Sequence, residues 1–319
     1  MSERSGNLFR FGLMLVVFTR LAWVVSAQAS ERISDLVELG EPERIATGFG
    51  FTEGPAWHPD GYLLFTDIPG NSIYRWTPDG KVTEFRSPSG HSNGLTFDRQ
   101  GRLVACEHSN RRVSRTEKNG RIVTLASKYE GKKLNSPNDA VVRSDGSIYF
   151  TDPPYGLSSA YGLPGIEELG FRGVYRLMPD GRTLELLVDD IYSPNGLAFS
   201  PDEKVLYVAD TEWSNIYAFD VSTDGALANR RLFASMIGGP DGMKVDVKGN
   251  LYVTTGLPAV RVYDSRGNDL GAIDIPEMTR NCAFGGAENK TLFIAASTSV
   301  YRIQLKVQGS PVALFTKAR

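Results

Sequence analysis

The chain has 319 residues, a formal net charge of −2 and 41% hydrophobic residues, which suffices for one large all-β domain or two ordinary ones. The near-balanced charge argues against a nucleic-acid partner, whose phosphates call for a strong basic excess. Two cysteines, Cys106 and Cys282, are too few for a disulfide framework and are expected to be separate buried thiols.

The N-terminus reads as a targeting segment. Arg4 and Arg10 precede Phe11-Gly12-Leu13-Met14-Leu15-Val16-Val17-Phe18, and Leu21-Ala22-Trp23-Val24-Val25 follows. Ala27-Gln28-Ala29 has the small-x-small form of a cleavage site. Residues 1–29 are therefore expected to be a signal peptide cleaved after Ala29, with the protein exported to a periplasm or secreted. Arg20 interrupts the apolar stretch, and the runs beside it are too short to span a bilayer, so no stable membrane insertion is expected after cleavage. Residues 30–43 are polar and aperiodic and read as a leader to a single domain, 44–319.

Residues 44–47 resemble the last strand of a repeat that lacks the other three; pairing with the C-terminal repeat would close a ring, with 312–315 as the rival for that slot. The first full repeat then runs through expected strands at 54–58, 62–67, 72–77 and 81–85, the last two joined by Pro78-Asp79-Gly80. The same grammar returns with Asn119-Gly120, Pro179-Asp180-Gly181, Asp224-Gly225 and Arg266-Gly267 at the later turns. A polar marker recurs at one phase as Glu53-Gly54, Asn93-Gly94, Asn138-Asp139, Asn195-Gly196, Asp241-Gly242 and Cys282-Ala283, in steps of 40, 45, 57, 46 and 41 residues. About fourteen residues beyond each marker, an apolar run ends in a second column: Asp67, Glu107, Asp152, Asp210, Thr255 and Ala296. Six copies of a short-strand unit predict an all-β fold, a six-bladed β-propeller with four-stranded blades around a central channel. The long step comes from an insertion at 153–172 between the second and third strands of the third blade, and loops of that length are usually functional.

In a propeller the first strand of each blade lines the channel, so a shared phase places the six markers at one height near the mouth that carries the insertion. The ring offers two carboxylates and three amides but no imidazole. Oxygen donors suit a hard divalent cation, above all Ca²⁺, and Glu53 with Asp241 would balance its charge. Zinc is disfavoured, because no His or Cys pair has ligand spacing. Asn-Gly alone is commonly a turn, but carboxylates converging in a narrow channel repel one another unless a cation lies between them. The acids of the second column are expected instead to hold loops through backbone hydrogen bonds. His58 is expected to be structural, whereas His91 and His108 lie where they could reach the mouth. Gly-x-Ser-x-Gly, Walker-type and dinucleotide loops are absent.

Four linked stretches resemble the gluconolactonase/regucalcin family: Glu53-Gly54-Pro55-Ala56-Trp57, Leu134-Asn135-Ser136-Pro137-Asn138-Asp139, Ser193-Pro194-Asn195-Gly196-Leu197 and Gly239-Pro240-Asp241-Gly242-Met243. Phe150-Thr151-Asp152-Pro153-Pro154-Tyr155-Gly156 and Cys106-Glu107-His108-x-x-Arg111-Arg112 resemble its bacterial gluconolactonase branch. The resemblance implies a divalent cation, usually calcium, held by Glu53, Asn195 and Asp241, with Asn138 at a position that touches metal or substrate. It implies hydrolysis of a sugar lactone to its aldonic acid. Regucalcin carries an Arg where this chain has Ser136 and is not exported, so the preferred sugar does not carry over. In this reading Asp241 activates water, Asn93, Asn138 and His108 contact substrate, and Tyr155 forms a wall. Rival readings are a calcium-dependent organophosphate or ester hydrolase, a non-catalytic ligand-binding propeller and a metal-free strictosidine-synthase-like propeller. The expected partner is a small-molecule lactone, and the expected state a monomer or weak oligomer.

Overall fold

The structure, a computed structural model, describes residues 32–38 and 40–310 together with Met1. The expected signal segment and the rival closing strand at 312–315 lie outside these residues. Six four-stranded antiparallel sheets follow one another along the chain, each ordered from its first strand outward. Their inner strands, Thr52–His58, Ser92–Phe97, Ala140–Val142, Pro194–Phe199, Met243–Val245 and Thr279–Gly285, contact one another in turn, and the last meets the first, which closes a propeller ring. The sixth blade takes its outer strand from the N-terminal side. Glu43–Thr47 pairs antiparallel with Ser299–Gln304, and Arg302 bridges Glu43 at 2.8 Å. This leaves no blade short of a strand.

The sequence pattern of each strand follows its layer. The second strands, such as Tyr62–Asp67 and Leu103–Glu107, are buried on both faces because a blade is sandwiched between two others, so they read as continuous apolar runs. The outer strands, such as Val82–Arg86, are largely exposed. One apolar cluster fills each of the six junctions between neighbouring blades. Cys106 packs in the junction of blades 2 and 3 and Cys282 in that of blades 5 and 6; both are free thiols. The leader contributes more than its polarity suggested. Ile33–Leu36 forms one helical turn, and fully buried Leu36 joins the cluster between blades 5 and 6.

The second column of acids ties loops. Asp67 accepts from Gly50 N–H and Phe51 N–H at 3.1 and 3.0 Å, Asp152 from Asn135 N–H at 2.7 Å, and Asp210 from Ser193 N–H at 3.1 Å. Glu107, fully buried, pairs with Arg86 at 2.5 Å and Arg112 at 2.7 Å. These bonds fix the segments that lead into the inner strands, and so fix the height of the marker residues.

Candidate functional site

The ladders define which residues share a height around the channel. Thr52 pairs with Asp67, Ser92 with Glu107, Pro194 with Asp210 and Thr279 with Ala296. The next residues, Glu53, Asn93, Asn195 and Arg280, are therefore equivalent, and Asn138 and Asp241 hold the same place before the shorter inner strands of blades 3 and 5. A hydroxyl clamp marks the same register. Thr66, Thr151 and Thr254 each donate Oγ1–H to the carbonyl of the marker in the following blade, at Asn93 (3.2 Å), Asn195 (2.7 Å) and Arg280 (2.7 Å). The sixth marker is thus Arg280, and the expected Cys282 is corrected. Cys282 lies two residues farther along the strand, fully buried in the apolar junction, where its thiol cannot join the ring.

A second layer lies one residue beyond the markers. Four blades place glycine there, namely Gly54, Gly94, Gly196 and Gly242, and the other two place Asp139 and Asn281. Gly54 has φ of +51°, and a Cβ on it would overlap the Asn93 carbonyl. A Cβ on Gly94 would lie 2.6 Å from Asp139 Oδ1, and one on Gly242 would overlap the Asn281 amide. The glycines therefore make room for two polar side chains. Asn281 Nδ2 donates to Asp139 Oδ2 at 3.4 Å, while its Oδ1 accepts from Cys282 N–H at 2.8 Å. Asp139, Asn281 and Arg280 were not among the residues singled out from the sequence. The three threonines one position before the second column are the signal that would have found Arg280.

The carboxyls of this site are under electrostatic pressure. Glu53, 3% exposed, is pushed well above the usual carboxylate range, first by burial and then by Asp241 and Asp139. One of its oxygens accepts from Gly54 N–H at 2.7 Å. Burial raises Asp139, which Lys244 partly offsets. Asp241 is raised to about 7, chiefly by burial, while Arg280 and the Asn195 amide pull it back. Glu53 and Asp139 are buried, whereas Asp241 keeps partial access to solvent. Lys244 compensates Asp139 and Arg280 compensates Asp241, but no basic residue is among the groups that shift Glu53.

The insertion reaches over this ring. Tyr155 Oη bonds Ser193 Oγ at 2.5 Å across to blade 4, and burial pushes its phenol up to about 12. Tyr161 packs edge-on against Phe51 of blade 1, with centroids 5.2 Å apart. Its carbonyl lies 2.9 Å from His108 Nδ1, so that nitrogen carries the proton. The Nε2 lone pair then faces Asn93 Nδ2 at 3.3 Å. Burial lowers His108 to about 4, so it is neutral at physiological pH. Asn93 Oδ1 is left buried without a partner. His91 is turned aside to Ser109 Oγ at 2.7 Å, and His58 stacks on Tyr62, outside the site.

The structure therefore brings Glu53, Asn93, Asn138, Asn195 and Asp241 to one level, with Tyr155 and His108 at its edge. Asn195 Nδ2 donates to Thr211 Oγ1 at 3.0 Å, and that hydroxyl donates onward to the Pro240 carbonyl at 2.7 Å, so the Asn195 oxygen is free to face a ligand. Among the described residues no three His, Cys, Asp or Glu side chains gather as a metal cluster. The oxygen count here is reached through amides. Two carboxylates with amide oxygens, and a buried Glu53 raised by its burial and by Asp241 and Asp139, fit a hard divalent cation.

Residues 51–298 match the family model described as SMP-30/Gluconolactonase/LRE-like region. A gluconolactonase from Zymomonas mobilis is 35% identical, over 88% of this chain and 86% of its own. A pentonolactonase from Haloferax volcanii is 28% identical, over 77% of this chain and 81% of its own. Among solved structures, a gluconolactonase from Xanthomonas campestris aligns with a TM-score of 0.81 at 41% identity, over 86% of this chain and 92% of that one. With this match to well over half its length, the chain belongs to the SMP-30/gluconolactonase/LRE-like family.

Proposed function

We propose that this protein is a lactonase that opens a sugar lactone to its aldonic acid, with a divalent cation, calcium first, in the channel ring. The observation that carries the reading is the shared register of Glu53, Asn138, Asn195 and Asp241, with Glu53 and Asp241 pushed up by burial and by neighbouring carboxyls. A bound divalent cation would supply Lewis acidity at the lactone carbonyl.

The chain's own residues divide the remaining work. Asp241, the ring acid with partial access to solvent, takes a proton from the attacking water and returns it to the departing ring oxygen. Glu53 balances the cation's charge. Asn93 Oδ1, buried without a partner, accepts from a sugar hydroxyl, and Asn138 offers its amide to another. Tyr155, fixed by Ser193, walls the site, and neutral His108 orients Asn93.

The test is proton release over a panel of aldonolactones, an aryl ester and a phosphotriester, with and without chelator. The reading expects rapid opening of at least one aldonolactone and its loss on chelation. Turnover of the phosphotriester alone would favour the organophosphate reading, and calcium binding without any turnover the ligand-binding one.

The insertion is proposed to set substrate preference. Gly165 N–H donates to the Leu157 carbonyl at 3.0 Å, so residues 158–164 form a closed loop whose excision keeps Leu169 and Glu168 but removes Tyr161, and with it the carbonyl partner of His108 and the ring against Phe51. Excision should reorder kcat/KM among lactones by roughly tenfold, the scale of one lost packing contact. The melting temperature should move little, and unchanged preference would make the loop a bystander. Residues 1–29 are proposed as an export signal, which predicts a mature chain beginning at Ser30 when the mass of the exported protein is measured.

A further inference from the structure

Arg280 is the one positively charged member of the marker ring. Its backbone is pinned on the side of blade 5, where its carbonyl accepts from Gly242 N–H at 2.9 Å and from Thr254 Oγ1 at 2.7 Å. Its guanidinium lies over the Phe51 ring, 4.8 Å from the centroid, and Phe51 is braced by Tyr161 of the insertion. The stack holds the planar fork in one orientation. Its Nε is buried and has no hydrogen-bond partner. Arg86, Arg111 and Arg176 each form an ion pair, with Glu107, Glu168 and Glu185, although Arg86 and Arg111 also keep a buried nitrogen without a bond; Arg280 forms no such pair among the described residues. Asp241 is near enough to feel the charge of Arg280, yet the two form no bridge. Arg280 is partly exposed, its buried Nε has a donor to spare, and one terminal nitrogen lies near Gly256 at the mouth side of blade 5.

We infer that Arg280 is the carboxylate-binding residue of the site. The inference rests on the lactonase reading. Water adds its oxygen to C1 of the lactone, the bond from C1 to the ring oxygen breaks, and the ring oxygen leaves as a hydroxyl with the proton that Asp241 returns. The new acid releases one proton to solvent. C1 thus passes from a neutral ester to a carboxylate, made of the former carbonyl oxygen and the water oxygen and bearing one negative charge. A guanidinium fork matches that carboxylate with two parallel hydrogen bonds and gains little from the neutral lactone. Arg280 therefore favours the transition state and product over the substrate.

The test uses Arg280→Met and Arg280→Lys in the full cation-loaded protein. D-gluconate binding is measured by calorimetry, calcium binding is titrated separately, and kcat and KM are taken on a neutral aldonolactone. Arg280→Met should weaken gluconate at least ~10-fold, the scale of a lost charge-assisted bond, and Arg280→Lys should retain part of the affinity. Calcium should bind Arg280→Met as tightly as wild type or more tightly, because a like charge has left its neighbourhood. The drop in turnover should fall on kcat more than on KM. Equal gluconate affinity in Arg280→Met and wild type overturns the inference, as does wild-type protein that binds no gluconate. Joint loss of calcium and gluconate would make Arg280 a structural residue and also overturn it. Failure of wild type to open any lactone would refute the hydrolase reading, while the gluconate titration would still decide the role of Arg280.

Discussion

Asp241→Asn should lower kcat by at least ~100-fold, the usual scale for a lost general base. The substitution keeps an oxygen donor and the side-chain size, and removes one negative charge and the proton acceptor. Part of the cation affinity should survive on Glu53, Asn138 and Asn195. Asn195→Asp is the contrasting variant, since it adds a charge but no base beside the attacking water. It should change cation affinity more than turnover at saturating cation. The two are compared by steady-state kinetics over a calcium titration. Full recovery of Asp241→Asn with excess calcium would reduce Asp241 to a ligand. His108 would be a poor replacement, because its pKa is lowered to about 4 and its Nε2 lone pair is taken by Asn93.

Stripping the cation should abolish lactone opening and make stability depend on pH in a definite direction. In the cation-free protein Asp241 titrates near 7, and Glu53 and Asp139 are also raised, against about 4 in an unfolded chain. Groups raised on folding bind protons more tightly when native. Their contribution is fully present below pH ~4 and is lost as pH rises through about 7. Calcium competes for the same oxygens, so it should raise the melting temperature more at pH 8 than at pH 5.5. At 100 times its Kd, calcium should add about 2.7 kcal/mol. Thermal melts at the two pH values, with and without calcium, measure this. Equal calcium shifts at both would contradict the assignment of these carboxyls to the cation site.

Much of this site was legible because Glu53-Gly54, Asn93-Gly94, Asn195-Gly196 and Asp241-Gly242 repeat as dipeptides. The glycine is there for close backbone passage, and the polar residue faces the channel as a consequence. Blade 6 broke the dipeptide. Asn281 occupies the glycine position, so a search for polar-small pairs slid onto Cys282-Ala283. The true register is held by Thr254 Oγ1 on the Arg280 carbonyl, an interaction between blades that no local pattern reveals. Asp139 was in view beside Asn138, but its convergence with Asn281 depends on blades 3 and 6 facing each other across the channel. The sequence let both His91 and His108 reach the mouth; the structure sets His108 against Asn93 and turns His91 to Ser109. The protonation of His108 and its service to Asn93 depend on where the insertion brings the Tyr161 carbonyl, 53 residues along the chain. Leu36 was hidden for a related reason, since one apolar residue in a polar leader gives no period and only the junction of blades 5 and 6 gives it a place.

The central claim is that the marker ring holds the cation on which lactone opening depends. The most direct measurement is anomalous diffraction from crystals of the active protein grown with calcium or manganese. The account predicts one peak in the channel, with oxygens of Glu53, Asn195 and Asp241 at about 2.3–2.6 Å from calcium and Asn138 in the same shell or one water away. A protein that opens lactones in the crystal with no peak in the channel, or with its only cation held elsewhere, would contradict it.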